Sequence, residues 1–222
     1  MSVITISREM GSQGRYIAER IAQNLDFHLV DKRTIEEILS QYGFTDFSQE
    51  YDAVPSFWTR FDSRRADMVK MLNRVIQALA YHRDVVILGR GSFAVLGDFA
   101  DVLNVRIQAP LPLRIKRVME RQKISEIDSA EAAVKESDRV RAEFIASFYE
   151  ERWDAANAFD LVIDTGKVSP ELAITWLAET VRALSERKKG DEPTTADVPA
   201  DLVLAKAVSE VLEYRLEYEV AR

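Results

Sequence analysis

Val85-Val86-Ile87-Leu88 is a continuous apolar run that breaks at Gly89-Arg90-Gly91-Ser92. A run of that kind has the form of a fully buried parallel strand delivering a loop, because both of its faces must be covered. Its neighbours fit the same scheme. Residues 2–7 form a short buried strand, and Phe27 to Val30 is a candidate short strand. Val102 to Ala109 reads as a further strand, and Phe159-Asp160-Leu161-Val162-Ile163-Asp164 as the last. Helical periods lie between them. Ile17, Ile21 and Leu25 recur at four-residue spacing after about Arg15, and Met68, Leu72, Val75 and Leu79 fall near a 3.6 period in a long helix over residues 58–81. Thr34, with Glu37 three residues on, is a candidate N-cap for a helix that buries Ile35, Ile38 and Leu39. Pro110 and Pro112 start a helix carrying Arg114, Arg117 and Arg121; another spans residues 129–149, and a closing one residues 170–186. Strands alternating with helices imply an α/β fold in three layers, a parallel sheet covered on both faces.

Residues 188–200, with Gly190, Pro193, Pro199 and several acids, have the composition of a linker. Residues 201–222 form one amphipathic helix with Leu204, Val208, Val211 and Leu212 on a common side. That stripe needs a partner, either a second chain, giving a homo-oligomer, or the domain it follows. The expected organisation is a domain over residues 1–187, a linker over 188–200 and a C-terminal helix over 201–222.

Composition excludes several classes of chemistry. The 222 residues include no cysteine and two widely separated histidines, His28 and His82, so neither a disulfide framework nor a thiolate metal site is available, and no metal ligands are assigned. There is no basic leader and no apolar stretch of ~18 residues, as expected of a soluble cytoplasmic protein without a membrane partner. A formal charge of −7 argues against nucleic-acid binding. Local clusters of arginine therefore matter more than the total.

Three clusters carry candidate chemistry. Arg8-Glu9-Met10-Gly11-Ser12-Gln13-Gly14 joins the first strand to the first helix, so the backbone amides of Gly11, Ser12, Gln13, Gly14 and Arg15 can surround a phosphate at a helix N-terminus. A P-loop also requires a lysine for the phosphates and a Ser or Thr hydroxyl for Mg²⁺. Placed without gaps, Gly14 falls at the lysine position and Arg15 and Tyr16 follow it, neither of them the Ser or Thr of the pattern, which leaves Arg8 and Arg15 as replacement cations. Arg90, between two glycines at the carboxyl end of a buried strand, is placed to fork onto an anion. Arg114, Arg117 and Arg121 share a helix face, with Lys123, Lys135, Arg139 and Arg141 beyond them, interleaved with acids that also suit a solvated ion-paired surface. Arg139 and Arg141, two apart, cannot both face one ligand from a regular helix. Asp31 is either a carboxylate that orients substrate or a metal shell, or a residue that starts a helix.

Together, Ile4-Thr5-Ile6-Ser7-Arg8-Glu9, Gly11-Ser12-Gln13-Gly14-Arg15, Asp31-Lys32, Gly89-Arg90-Gly91 and Phe159-Asp160-Leu161-Val162-Ile163-Asp164-Thr165 resemble the cytidylate kinase-like proteins, in order and spacing, over about residues 1–187. The resemblance implies a P-loop NTPase-like fold with a helical lid, ATP and Mg²⁺ as cofactors, and a nucleoside monophosphate such as CMP as acceptor. By the same resemblance Arg90 would hold the acceptor's monophosphate, and the segment from Arg117 through Arg121 to Arg141 would be the lid. Arg139 or Arg141 would clamp the transferring phosphoryl group. The missing lysine and hydroxyl leave two expectations: an ATP-dependent kinase in which Arg15 or Arg8 replaces the lysine, or a catalytically weak nucleotide-binding regulator or scaffold.

Overall fold

The computed structural model describes residues 2–45, 63–187, 190–198 and 201–220. Five parallel strands, β1 (Val3–Arg8), β2 (His28–Val30), β3 (Val85–Leu88), β4 (Val102–Gln108) and β5 (Leu161–Asp164), lie in the order β2-β3-β1-β4-β5. The helices are α1 (Gly14–Leu25), α2 (Lys32–Gln41), α3 (Ser63–His82), α4 (Ser92–Leu96), α5 (Leu111–Gln122), α6 (Ile127–Tyr149), α7 (Pro170–Glu186) and α8 (Leu202–Val220). The first five residues of the expected 58–81 helix lie outside the described residues.

The all-apolar β3 has a direct structural cause. Val85 and Ile87 point into one apolar cluster, with Ile35, Leu72, Ile76 and Leu79 from α2 and α3, while Val86 and Leu88 point into the other, with Ile17, Ile21, Leu177 and Val181 from α1 and α7. β1 sits at the centre, Ile6 level with Leu88 on one side and Val105 on the other. Its carboxyl end therefore opens at the middle of the sheet edge, where ligands of open α/β sheets bind.

Asp31, not Thr34, is the N-cap of α2. Its carboxylate accepts from the Arg33 and Thr34 amides, and Thr34 serves as the third residue of the capping box. The expected Thr34–Glu37 box fails because the helix begins three residues earlier, at Lys32.

The C-terminal stripe folds back on its own chain. Leu204, Val208, Val211 and Leu212 are buried in the same cluster as Leu72 and Leu79, and α8 packs on α3 and α2. The connection is fastened by Asp101, which accepts from the Thr195 amide at 2.7 Å and from the Thr195 hydroxyl at 2.8 Å in a buried setting. Residues 193–198 are thus held against the domain. The helices α5 and α6 share a smaller apolar cluster of their own, Val118, Ala130 and Val134 with Met10 against it, while Phe144 and Ile145 root the far end of α6 in the main core.

Candidate active site

The segment between β1 and α1 is pinned through its carbonyls. Arg114 Nη1 donates to the Met10 carbonyl at 3.4 Å, Arg117 Nη1 to the Gly11 carbonyl at 3.3 Å, and the Thr165 hydroxyl to the Ser12 carbonyl at 2.8 Å. The first bond of α1 runs from the Ile17 amide to the Gln13 carbonyl, so the amides of Gly14, Arg15 and Tyr16 have no intrahelical acceptor. Gln13, at φ 64°, turns the chain from loop into helix. With carbonyls drawn outward and amides at the helix mouth, the loop has the polarity that an anion requires.

Beneath the loop lies a buried ionic cluster that sequence reasoning did not find. Glu9 accepts from Arg106 at 3.4 Å and from the Ala109 amide at 3.1 Å, and pairs with Arg114 at 3.3 Å. Arg106 also donates to the Trp153 carbonyl at 2.7 Å and lies over the Trp153 ring, 4.5 Å from its centroid. Burial holds the Arg106 pKa below the ordinary arginine value, against the pull of Glu9. Asp138 of α6 accepts from the Met10 amide at 3.2 Å and pairs with Arg114 and Arg141, tying the arginine-bearing helices to the loop. The motif Arg8-Glu9 was visible in the sequence; that its glutamate sits under the loop depends on β4 lying beside β1.

Two cavities open above the carboxyl end of the sheet. One, of about 720 Å³, is lined by the loop, Tyr16, Arg15, Arg117, Arg121 and Arg141; the other, of about 390 Å³, by Lys32, Arg90, Glu136, Ser137 and Val140. Arg8, Ser137 and Arg141 line both. The expected residues divide accordingly. Gly11, Gln13, Gly14, Arg15, Tyr16, Arg117 and Arg121 are on the first cavity, whereas Ser12 is fully buried behind it, its hydroxyl spent on the Glu9 carbonyl at 2.9 Å. Arg90 is 5% exposed and oriented by Glu36 at 3.2 Å.

Arg15, Arg139 and Arg114 carry partners that the sequence did not show. Arg15 is bound to Asp31 through both terminal nitrogens at 3.1 Å and to Glu19 at 3.4 Å, so its charge is already engaged. Asp31 caps α2 besides holding Arg15. Burial tends to raise its pKa, but the Thr34 amide and Arg15 outweigh burial and hold it below the usual carboxylate range. Arg139 lines neither cavity and pairs in exposed positions with Glu136 and Glu143, while Arg141, two residues on, lines both cavities. Arg114, expected on the same surface as Arg117, is buried on Glu9 and Asp138.

A parallel sheet in this order, a glycine loop feeding α1 and a pair of arginine-bearing helices over the loop define a P-loop kinase-type fold. The chain belongs to the cytidylate kinase-like family, whose model matches residues 3–167. It is 22% identical over 167 residues to a cytidylate kinase of Methanosarcina barkeri, covering 74% of this chain and 87% of that one. A 95-residue stretch is 36% identical to a uronate isomerase of Corynebacterium glutamicum, covering 43% of this chain but 18% of that protein. Among solved structures, an uncharacterized protein of Eubacterium ventriosum superposes with TM-score 0.65 at 22% identity, covering 84% of this chain and 100% of that chain. The shikimate kinase of Bacteroides thetaiotaomicron superposes with TM-score 0.50 at 14% identity, covering 82% and 98%. The structural matches concern the fold; family membership supports nucleotide-kinase activity in general terms.

Proposed function

We propose that the chain transfers the terminal phosphoryl group of ATP to a nucleoside monophosphate, CMP being the acceptor its family suggests. The observation that carries this reading is the pair of cavities that meet at Arg8 and Arg141. A two-substrate transfer needs a donor site and an acceptor site facing each other across the group that moves, with cations at the junction.

In this reading the amides of Gly11, Gln13, Gly14 and Arg15 hold the donor phosphates, with Arg117 and Arg121 along the same wall. Arg90, fixed by Glu36, and Lys32 hold the acceptor phosphate. Arg141 is the cation positioned to neutralise charge on the transferring group. The nucleophile is the acceptor's own phosphate oxygen, so the protein's task is positioning and charge compensation. The donor set does not fit a protein-ligated Mg²⁺. Neither Arg15 nor Tyr16 supplies the hydroxyl of the usual pattern, the Ser12 hydroxyl is buried, and among the described residues no group of three or more His, Asp or Glu could hold a metal. The Mg²⁺ in this reading is the ion that ATP carries on its own phosphates. A cytoplasmic location goes with the reading; among the described residues no helix is long and apolar enough to cross a membrane.

The engagement of Arg15 by Asp31 and Glu19 favours a second reading, a nucleotide-binding regulator with little turnover. One preparation separates the two: phosphoryl transfer from ATP and Mg²⁺ to CMP, dCMP, UMP, AMP and GMP, with ATP affinity measured by calorimetry. Turnover of any acceptor is the expected result. ATP binding without turnover would favour the regulator, and absence of both would overturn each.

A further inference from the structure

The usual phosphate-binding pattern begins with a glycine and places its lysine six residues later. In this chain those two positions are Arg8 and Gly14. The cation and the glycine have changed places, and the structure shows that the exchange must be reciprocal. A Cβ on Gly14 would lie 2.5 Å from the Arg8 Cβ and 3.0 Å from its Cγ, so a side chain at one position excludes a side chain at the other. A second glycine makes room further along: a Cβ on Gly89, at the end of β3, would overlap the Arg8 guanidinium. Arg8 therefore runs in a slot walled by two glycines, from the end of β1 to the wall shared by the two large cavities.

We propose that Arg8 is the phosphate-holding cation of this site, taking over from the opposite side of the loop the work that a lysine at position 14 performs elsewhere. The inference rests on the kinase reading and selects between the two replacement cations. Arg15 is 47% exposed and lines the donor space alone, whereas Arg8 borders both donor and acceptor spaces, with Arg90 and Arg141 beside it. A guanidinium at the junction contacts an oxygen of the moving phosphoryl group from ground state to product, and its planar fork suits two oxygens at once.

Four variants, Arg8→Gln, Arg8→Lys, Arg8→Gly and Arg8→Gly/Gly14→Lys, test this, with Arg15→Gln as the control. All are compared by melting temperature, ATP affinity and kcat/KM with ATP and CMP. Arg8→Gln is expected to lose about a hundredfold in kcat/KM, the usual scale for removing one donor to a developing charge. Arg8→Lys should retain more than Arg8→Gln, and Arg15→Gln should lose at least about tenfold less than Arg8→Gln. The double variant moves the cation back to position 14 and should exceed Arg8→Gly by about tenfold or more, a gain that a purely structural role for Arg8 does not produce. Transfer and ATP affinity both within about threefold of the parent in Arg8→Gln would overturn the role of Arg8 while leaving the kinase reading intact. A parent that neither binds ATP nor turns over CMP or any other acceptor would overturn both. If the parent binds ATP without transferring phosphate, a weaker ATP affinity in Arg8→Gln supports the role.

Discussion

Replacing Glu9 with glutamine removes one negative charge from beneath the loop while keeping the shape of the side chain. The Glu9 side chain is 16% exposed, and its partners Arg106 and Arg114 are 4% and 9% exposed, so water compensates little for the loss. At separations of 3.4 and 3.3 Å each attraction is roughly 5 kcal/mol with an effective dielectric of about 20, most of it offset by the desolvation of the three groups. Breaking one partner of a buried pair costs about 3–5 kcal/mol. The lower end applies here, because Asp138 still faces Arg114 and a glutamine oxygen can still accept from the Ala109 amide. For a chain of this size about 3 kcal/mol lowers the melting temperature by roughly 6–12 °C. Differential scanning calorimetry of Glu9→Gln against the parent reads this directly. The same substitution in an Arg106→Met background should cost less, since one of the stranded charges is gone. A fall of under about 2 °C, or equal losses in both backgrounds, would refute the view that this cluster braces the loop.

Arg141→Gln should reduce phosphoryl transfer about a hundredfold and Arg139→Gln by less than about threefold, because Arg141 lines both cavities and Arg139 is an exposed partner of Glu136 and Glu143; steady-state kinetics showing the reverse order would reject the assignment. Ending the chain at Lys189 removes Leu204, Val208, Val211 and Leu212 from the core at a gross cost of about 1.5–3 kcal/mol each, only partly offset by the regained freedom of the chain. Thermal denaturation should show the truncated chain losing at least about 10 °C, and an unchanged melting temperature would mean that α8 is not part of the folding unit. His28 stacks edge-on with His82 at 5.3 Å, and burial, followed by the His82 charge, holds its pKa below the ordinary histidine value of 6.5 against the opposing pull of Asp26, Asp84 and Glu213. The unfolded chain then binds a proton that the native state resists, so this contribution is full above about pH 6.5 and is lost as pH falls towards the depressed value. His28→Gln should flatten the loss of stability between pH 7 and pH 5 measured by urea denaturation; an unaltered slope would show that His28 does not contribute.

The sequence by itself determined the layers. Val85 to Leu88 is apolar at every position because successive side chains of a central strand enter opposite cores, and the four-residue recurrence of Ile17, Ile21 and Leu25 marks a helix lying on one of them. These signals are local, one residue following another along a strand or a turn, and so they survive without the rest of the fold. The glycine loop and Arg90 were legible for the same reason, and the spacing of Arg139 and Arg141 showed only that both cannot face one ligand. What the tertiary structure decided are the pairings between distant parts of the chain. Whether α8 turns to another molecule or to its own α3 depends on which apolar surface is nearest, and a stripe of Leu204, Val208 and Val211 reads the same in both cases. Whether Arg15 or Arg8 faces the phosphates depends on Asp31 arriving beside one and on Gly14 and Gly89 opening a slot for the other. Each charge has several possible partners in the sequence, and the order of the strands selects among them.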